Sequence, residues 1–177
     1  MGANRLGFAG LALAAGMVAT GGQTGCSHAP PAPDAPPCAT PEPLRVQLRA
    51  SARLNPGEKG EALATVVRVY QVKGISKLTG ASFDDLLDHD KDTFGDDLLV
   101  VQELTVNPGD LVGPPVARHA DANYVVAIAL FRQPVGTNWR AVKKLWPPNP
   151  DHCHAGSKGT PPADTRFFLD ENRIELR

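Results

Sequence analysis

The sequence has no excess of either charge and few aromatic residues. Its 177 residues carry 18 Lys and Arg against 19 Asp and Glu, a net charge of −1, and only 6% are Phe, Trp or Tyr. A chain with balanced charge has no general electrostatic attraction to a polyanion, so we expect no binding to nucleic acid. The length is sufficient for one domain with its own hydrophobic core and is short for two.

The sequence also lacks the short motifs of common catalytic and metal sites. It has no G-x-S-x-G, no H-E-x-x-H and no Gly-rich loop between a strand and a helix. The acidic run Asp88–Asp92 resembles the start of a calcium loop, but Thr93 and Leu99 stand where that loop needs Gly and Glu. The run His152–His154 has no second Cys/His cluster to complete four ligands. We therefore expect no enzymatic activity, no cofactor and no metal.

The N-terminal residues have the pattern of an export signal. Arg5 is followed by the apolar or small run Leu6–Thr20, which is too short to span a bilayer. The run ends in small residues before Cys26, as in a bacterial lipobox, although an aliphatic residue is usual at the place of Gln23. We expect residues 1–25 to be a lipoprotein signal peptide and Cys26 to be acylated, with palmitate among its lipids. The alternative is an ordinary signal cleaved near Gly25.

Cysteine is scarce, and its number is odd for an exported protein. If Cys26 carries the lipid, Cys38 and Cys153 remain as one pair in an oxidising compartment, and we expect a disulfide between them. Such a bridge, closing a loop of more than 100 residues, would contribute about 4 kcal/mol on the chain-entropy model. Two free thiols are the alternative. The Pro- and Ala-rich residues 26–43 are expected to form a tether between the anchor and a folded domain at 44–177.

Residues 44–177 contain several short runs that are typical of strands. Arg45–Leu54 alternates between apolar and polar residues, which predicts a half-buried strand. Ala62–Val72 is apolar on both faces, which predicts a central strand covered on each side. Further strands are predicted at Leu98–Val106, Tyr124–Arg132, Trp139–Trp146, Arg166–Leu169 and Arg173–Leu176. Residues 75–97 break this pattern, and Ser82 before Phe83, Leu86 and Leu87 predicts a short amphipathic helix. The fold class is therefore mainly β, a two-sheet β-sandwich with a short helical insertion.

The segment between the first two predicted strands is a short polar loop that buried strands hold at both ends. Asn-Pro-Gly is turn chemistry, with a Pro that presets φ and a Gly57 that is free to take positive φ. On its residues alone, this loop is as consistent with an ordinary hairpin turn as with a contact site. Its members are Asn55, Pro56, Gly57, Glu58, Lys59, Gly60 and Glu61.

In several of these stretches the chain resembles a known family. The matching runs are LNPGEKGEALATVVRVYQVKG, then ASFDDLLDHDKDTFGDDLL leading into QELTVNPGD, then ANYVVAIALFR followed by NWR, and the terminal RIEL. In order and spacing they resemble the outer-membrane lipoprotein of the type VI secretion system, the TssJ (SciN/VasD) family. Gln23 and the Pro-rich segment Pro147–Pro162 depart from the family pattern.

The resemblance implies a transthyretin-like sandwich with an added helical element and a structural role. It implies that the chain is anchored in the outer membrane by its N-terminal lipid and faces the periplasm. There it would recruit the periplasmic domain of TssM, building the envelope-spanning membrane complex together with TssL. In this family the loop between the first and second strands contacts TssM, and here that loop is Asn55–Glu61.

Two other classes of function stay open on the residues alone. A periplasmic, lipid-anchored module that binds a small ligand or a carbohydrate predicts a concave apolar pocket with a few convergent polar groups. An enzyme with a convergent site predicts strongly shifted pKa values clustered in a cleft.

Overall fold

The computed structural model describes residues 43–113, 115–146 and 164–177. Outside the described residues lie the predicted signal peptide, nearly all of the tether and the three cysteines, Cys26, Cys38 and Cys153. Within the described ranges, no helix is both long and apolar enough to cross a membrane.

The described part of the chain contains nine strands, three short α-helices and one 3-10 helix, Gly95–Asp97. In chain order the strands and α-helices are β1 (Leu44–Ala50), β2 (Thr65–Val72), α1 (Ser76–Gly80), α2 (Phe83–Asp88), α3 (Asp90–Phe94), β3 (Leu98–Val106), β4 (Leu111–Val112), β5 (Pro115–Val116), β6 (Tyr124–Ala129), β7 (Arg140–Lys144), β8 (Thr165–Asp170) and β9 (Arg173–Leu176). The first sheet has the order β4-β1-β8-β9, with β5 also paired to β1, and the second has the order β3-β2-β6-β7. The predicted two-sheet sandwich with a short helical insertion is confirmed.

Strand β1 shows the predicted alternation but is shorter than predicted. Val46, Leu48 and Ala50 are buried, while the residues between them point outward. The prediction that the strand continues to Leu54 is wrong, because the chain turns after Ala50 and the backbone N–H of Arg53 bonds to the Ser51 hydroxyl at 3.1 Å. Leu54 is nevertheless fully buried, because the turn directs it back into the core.

Strand β2 is covered on both faces, as its sequence predicts. Val67 and Val69 are buried within the sandwich, and Tyr70 on the opposite face is fully buried beneath the helical insertion. The strand begins at Thr65 rather than at Ala62. It pairs with β3 on one side and β6 on the other, which fixes it in the middle of its sheet.

The helical insertion lies against the outer face of the second sheet. Ser82 caps α2 as predicted, in a reciprocal capping box with Asp85. Leu86 and Phe94 are fully buried, and the ring of Phe94 lies 5.0 Å from the ring of Tyr70. The Tyr70 hydroxyl donates to a carboxylate oxygen of Asp90 at 2.9 Å, so one buried side chain ties the insertion to the sheet.

Candidate functional site

The loop that sequence predicts as a contact site connects the two sheets. Strand β1 belongs to the first sheet and β2 to the second, so residues 51–64 cross from one layer of the sandwich to the other. The alternative of an ordinary hairpin turn is therefore excluded. A hairpin joins two neighbouring strands of one sheet, whereas β1 pairs with β8 in parallel. We call residues 51–64 the β1–β2 loop.

A buried asparagine fixes the base of the β1–β2 loop. Asn55 is 3% exposed and has a positive φ of 48°. Its side-chain nitrogen donates to the Ala64 carbonyl at 2.9 Å, and its side-chain oxygen accepts from the Arg132 N–H at 2.9 Å. Its own N–H donates to the Glu171 carbonyl at 2.9 Å. Asn55 thus ties together three connections of the fold, and its side chain is not part of the exposed surface of the loop.

The tip of the loop, Gly57–Glu61, is closed by its own hydrogen bonds. The N–H of Gly57 donates to the Glu61 carbonyl at 2.8 Å, and the N–H of Gly60 donates to the Gly57 carbonyl at 3.1 Å. The Glu61 carboxylate accepts from the Lys59 N–H at 3.0 Å. Gly57 does not use its freedom to take positive φ, and in the tip it is Gly60 that does, with φ at 82°. Glu58, Lys59, Gly60 and Glu61 are exposed, so the tip presents three charged side chains on an ordered backbone.

A charged cluster supports the loop from the β8–β9 turn. The Arg53 guanidinium contacts both carboxylate oxygens of Asp170, at 3.0 and 3.2 Å, and a carboxylate oxygen of Glu171 at 3.1 Å. The pKa of Asp170 is lowered, first by a hydrogen bond from the Ser51 hydroxyl and also by the charges of Arg53 and Arg173. Asp170 is therefore a carboxylate at neutral pH, and it pairs with Arg53 of the β1–β2 loop and with Arg173 at the start of β9.

The β6–β7 connection adds an exposed surface that sequence reasoning missed. Arg132 lies 3.4 Å from the carboxylate of Glu58, and Val135, three residues further on, is 59% exposed. Nothing in the local sequence relates these residues to the loop, because Glu58 and Arg132 are 74 positions apart. The candidate site is therefore the loop tip together with Arg132, and Val135 is an exposed apolar residue of the same β6–β7 connection.

A concave surface, separate from the candidate site, lies on the outer face of the first sheet. The Arg177 guanidinium stacks on the Phe168 ring at 4.0 Å there. Three of its seven described lining residues are arginines, and two of these, Arg166 and Arg177, already pair with Asp164 and Glu175. The lining residues are Gln47, Arg49, Leu111, Arg166, Phe167, Phe168 and Arg177.

The acidic run of the helical insertion has structural partners in the described residues. Asp90 accepts the hydrogen bond from Tyr70 and lies 3.7 Å from Arg68. Across residues 43–113, 115–146 and 164–177, no three His, Cys, Asp or Glu side chains come together as a metal site would require. His152 and His154 lie outside these ranges.

Comparison with known families identifies the chain. Residues 42–158 match the family model described as "Type VI secretion lipoprotein, VasD, EvfM, TssJ, VC_A0113". The chain belongs to this family. The matched residues include the whole β1–β2 loop, the helical insertion and β2 to β7, so the membership covers both components of the candidate site. None of the curated protein sequences compared with the chain matches it.

Solved structures of type VI secretion proteins share the fold of this family member. The T6SS lipoprotein TssJ1 from Pseudomonas aeruginosa is 20% identical, with a TM-score of 0.59 over 77% of this chain and 97% of that one. A chain in the structure "Type VI membrane complex" is 21% identical, with a TM-score of 0.64 over 77% and 98%. A chain in "T6SS protein TssM C-terminal domain (869-1107) from EAEC" is 20% identical, with a TM-score of 0.61 over 76% and 97%. At these identities the likeness extends to the fold alone.

Proposed function

We propose that this chain is an assembly protein of the type VI secretion membrane complex. It is anchored in the outer membrane through Cys26, faces the periplasm, catalyses no reaction and binds the periplasmic domain of TssM through the tip of the β1–β2 loop. The observation that carries the partner-binding part is the geometry of the loop: Glu58 and Lys59 are exposed on a backbone that is already ordered by its own hydrogen bonds and by the carboxylate of Glu61.

The partner assignment is supported by the composition of one similar structure. The aligned residues are 76% of this chain's 177 and 97% of the matched chain, which makes the matched chain about 140 residues long. The TssM fragment named for that structure, 869–1107, is about 240 residues long. We infer from this difference in length that the matched chain accompanies the TssM fragment in that structure. We infer that TssM is also the partner here and that TssL joins the same complex.

An ordered loop tip lowers the cost of binding. Ordering a mobile segment on association consumes part of the gross interaction free energy, whereas a segment held in one conformation avoids that cost. Here Asn55 fixes the base of the loop, and bonds among Gly57, Gly60 and Glu61 close its tip. Lys59 and the ion pair between Glu58 and Arg132 are then exposed to contact a partner.

The anchor and the division of the chain are part of the same proposal. Residues 1–25 are the lipoprotein signal peptide, 26–43 are the acylated Cys26 with its tether, and 44–177 are the sandwich. Cys38 and Cys153, the two cysteines that remain, form a disulfide. Intact mass measurement of membrane-extracted protein tests the anchor: acyl chains on Cys26 support it, and an unmodified cysteine contradicts it. The same measurement before and after reduction shows whether the protein gains the mass of two hydrogen atoms, as reduction of a disulfide requires.

The binding test uses two variants matched in charge. Glu58→Ala with Lys59→Ala removes one acid and one base from the loop tip, and Lys91→Ala with Asp92→Ala does the same on the helical insertion, where both side chains are exposed. Calorimetric titration with the periplasmic domain of TssM should show at least a tenfold rise in Kd for the loop variant, about 1.4 kcal/mol. The insertion variant should bind like wild type. Equal affinities for both variants and wild type would contradict the proposal.

A further inference from the structure

Among the described residues, strand β3 leaves one edge of the second sheet without a neighbouring strand. It is nine residues long and lies at the end of the order β3-β2-β6-β7. The opposite edge is closed toward the first sheet, where the N–H of Ile174 in β9 donates to the Asn138 carbonyl just before β7 at 2.7 Å. An unpaired edge of this length offers a row of backbone donors and acceptors to another strand.

The hydrogen bonds of β2 show which groups of β3 are free. The Val66 carbonyl accepts from the N–H of Leu130, and the Val72 carbonyl accepts from the N–H of Asn123. Even-numbered residues of β2 therefore direct their backbone groups toward β6. In an antiparallel ladder alternate residues bond to opposite neighbours, so the odd-numbered residues of β2 bond to β3.

The register then identifies the outward groups of β3. Val67 is opposite Leu104 and Val69 is opposite Gln102, so even-numbered residues of β3 bond to β2. Val101, Glu103 and Thr105 direct their N–H and C=O groups away from the sheet. No hydrogen bond from the described residues reaches these six groups.

The composition of β3 does not protect this edge. The strand reads LLVVQELTV, with no Pro, no Lys and the single charge of Glu103. Val101, at its centre, is 40% exposed. Natural edge strands are commonly short, bulged, or marked by Lys or Pro that discourage pairing, and this segment has a register irregularity only near its start, opposite Gln71 and Val72.

We propose that a second copy of this chain pairs with β3 in antiparallel orientation, with a two-fold axis between the two Gln102 residues. The two four-stranded sheets then form one continuous sheet of eight strands. The occupant is argued from self-complementarity. In this register Val101 lies opposite Glu103 of the second copy and Val100 lies opposite Leu104, so no like charges face each other. The two Gln102 side chains meet at the axis as a non-hydrogen-bonded pair, with Cα atoms about 4.5 Å apart.

Sedimentation equilibrium of the chain from Ser27 onward tests the proposal. We expect a monomer–dimer equilibrium in the micromolar range. Val101→Pro should give a monomer, because the N–H that it removes is used by the second copy and not within the sheet. Val101→Lys, which leaves the backbone unchanged, should also give a monomer and serves if the proline variant does not fold. Leu111→Lys changes another exposed apolar residue, on β4, and should leave the dimer intact.

Amide hydrogen exchange identifies the edge that pairs. The N–H groups of Val101, Glu103 and Thr105 should exchange fast in dilute protein and at least tenfold more slowly where the dimer is populated. A chain that stays monomeric at millimolar concentration overturns the proposal, as does a dimer that both Val101 variants leave intact. Protection of these three amides only after addition of the TssM periplasmic domain also overturns it, and assigns the edge to a strand of that partner instead.

Discussion

The side-chain oxygen of Asn55 accepts a 2.9 Å hydrogen bond from the backbone N–H of Arg132, 77 positions further along the chain. The same asparagine bonds to Ala64 through its side-chain nitrogen and to Glu171 through its backbone. One buried residue therefore connects the β1–β2 loop, the β6–β7 connection and the β8–β9 turn. The loop tip projects from this junction, so its position depends on the integrity of the junction.

Replacement of Asn55 should lower stability strongly for a loop residue. Asn55→Ala removes the side-chain partners of the Ala64 carbonyl and the Arg132 N–H. It also places alanine, which tolerates a positive φ less well than asparagine, at φ 48°. Together these should cost about 2–4 kcal/mol in the free energy of unfolding, measured by urea denaturation. Asn107→Ala, in the exposed second Asn-Pro-Gly turn, is the matched control and should cost under about 1 kcal/mol. Equal losses would contradict the role of Asn55.

Gly57 and Gly80 should respond differently to alanine. A Cβ on Gly57 would lie 2.4 Å from a carboxylate oxygen of Glu61, so the Glu61 side chain must move and its bond from the Lys59 N–H is lost. Gly57→Ala should therefore weaken TssM binding several-fold while changing the free energy of unfolding by less than about 1 kcal/mol. Gly80→Ala meets no neighbouring atom and should change neither quantity by a comparable amount. Unchanged binding by Gly57→Ala would show that the loop conformation does not matter for recognition.

Stability should fall in acid partly because of Asp170. Its pKa is lowered in the folded state by the Ser51 hydroxyl and the charges of Arg53 and Arg173. The stabilisation is therefore present above the unfolded pKa of about 3.9 and is lost as the pH falls through the lower folded value. Asp170→Asn should lower the urea midpoint at pH 6 and flatten its decline between pH 4 and pH 2. Asp96→Asn, which removes an exposed charge on the insertion, controls for net charge. An unchanged acid profile in Asp170→Asn would contradict this assignment.

The helical insertion should loosen when the Tyr70 hydroxyl is removed. Burial raises the pKa of Tyr70, and the hydroxyl remains a donor to Asp90. Tyr70→Phe should cost about 1 kcal/mol of unfolding free energy and speed hydrogen exchange in residues 83–94 more than in β6. Phe94→Ala, which opens a cavity against the same ring, should cost about 3–5 kcal/mol. If Tyr70→Phe changes hydrogen exchange uniformly over the sheet and the insertion, the bond from the Tyr70 hydroxyl to Asp90 does not hold the insertion to the sheet.

The exposed and buried faces of β1 and β2 and the start of α2 were predictable, because each depends on a pattern within one short segment of the sequence. The alternation in Arg45–Leu54 predicts the half-buried β1, although not its end at Ala50, and the two apolar faces of β2 predict cover on both sides. Ser82 predicts the start of α2, because a hydroxyl at the N-cap accepts from the free N–H groups of the first turn. These predictions depend on spacing within about ten residues, which sequence periodicity reports directly.

The junction beneath the loop was not predictable in the same way. Its bonds join Asn55 to Arg132 and Glu171, and no local pattern indicates which distant backbone groups a buried asparagine will meet. The sequence left an ordinary hairpin open as an alternative for a related reason. The pairing of Val46 with Thr165 in parallel places β1 in the other sheet, and alternation gives the face of a strand but not its neighbour.

The most direct test of the central claim is site-specific photocrosslinking in cells that assemble the secretion complex. A photoreactive phenylalanine analogue at Lys59, in the loop tip, should give a crosslink to TssM on illumination. The same analogue at Lys91, exposed on the helical insertion, should give none. A crosslink from Lys91 with none from Lys59 would contradict the account, because it would place the partner on the insertion and leave the ordered loop without its proposed role.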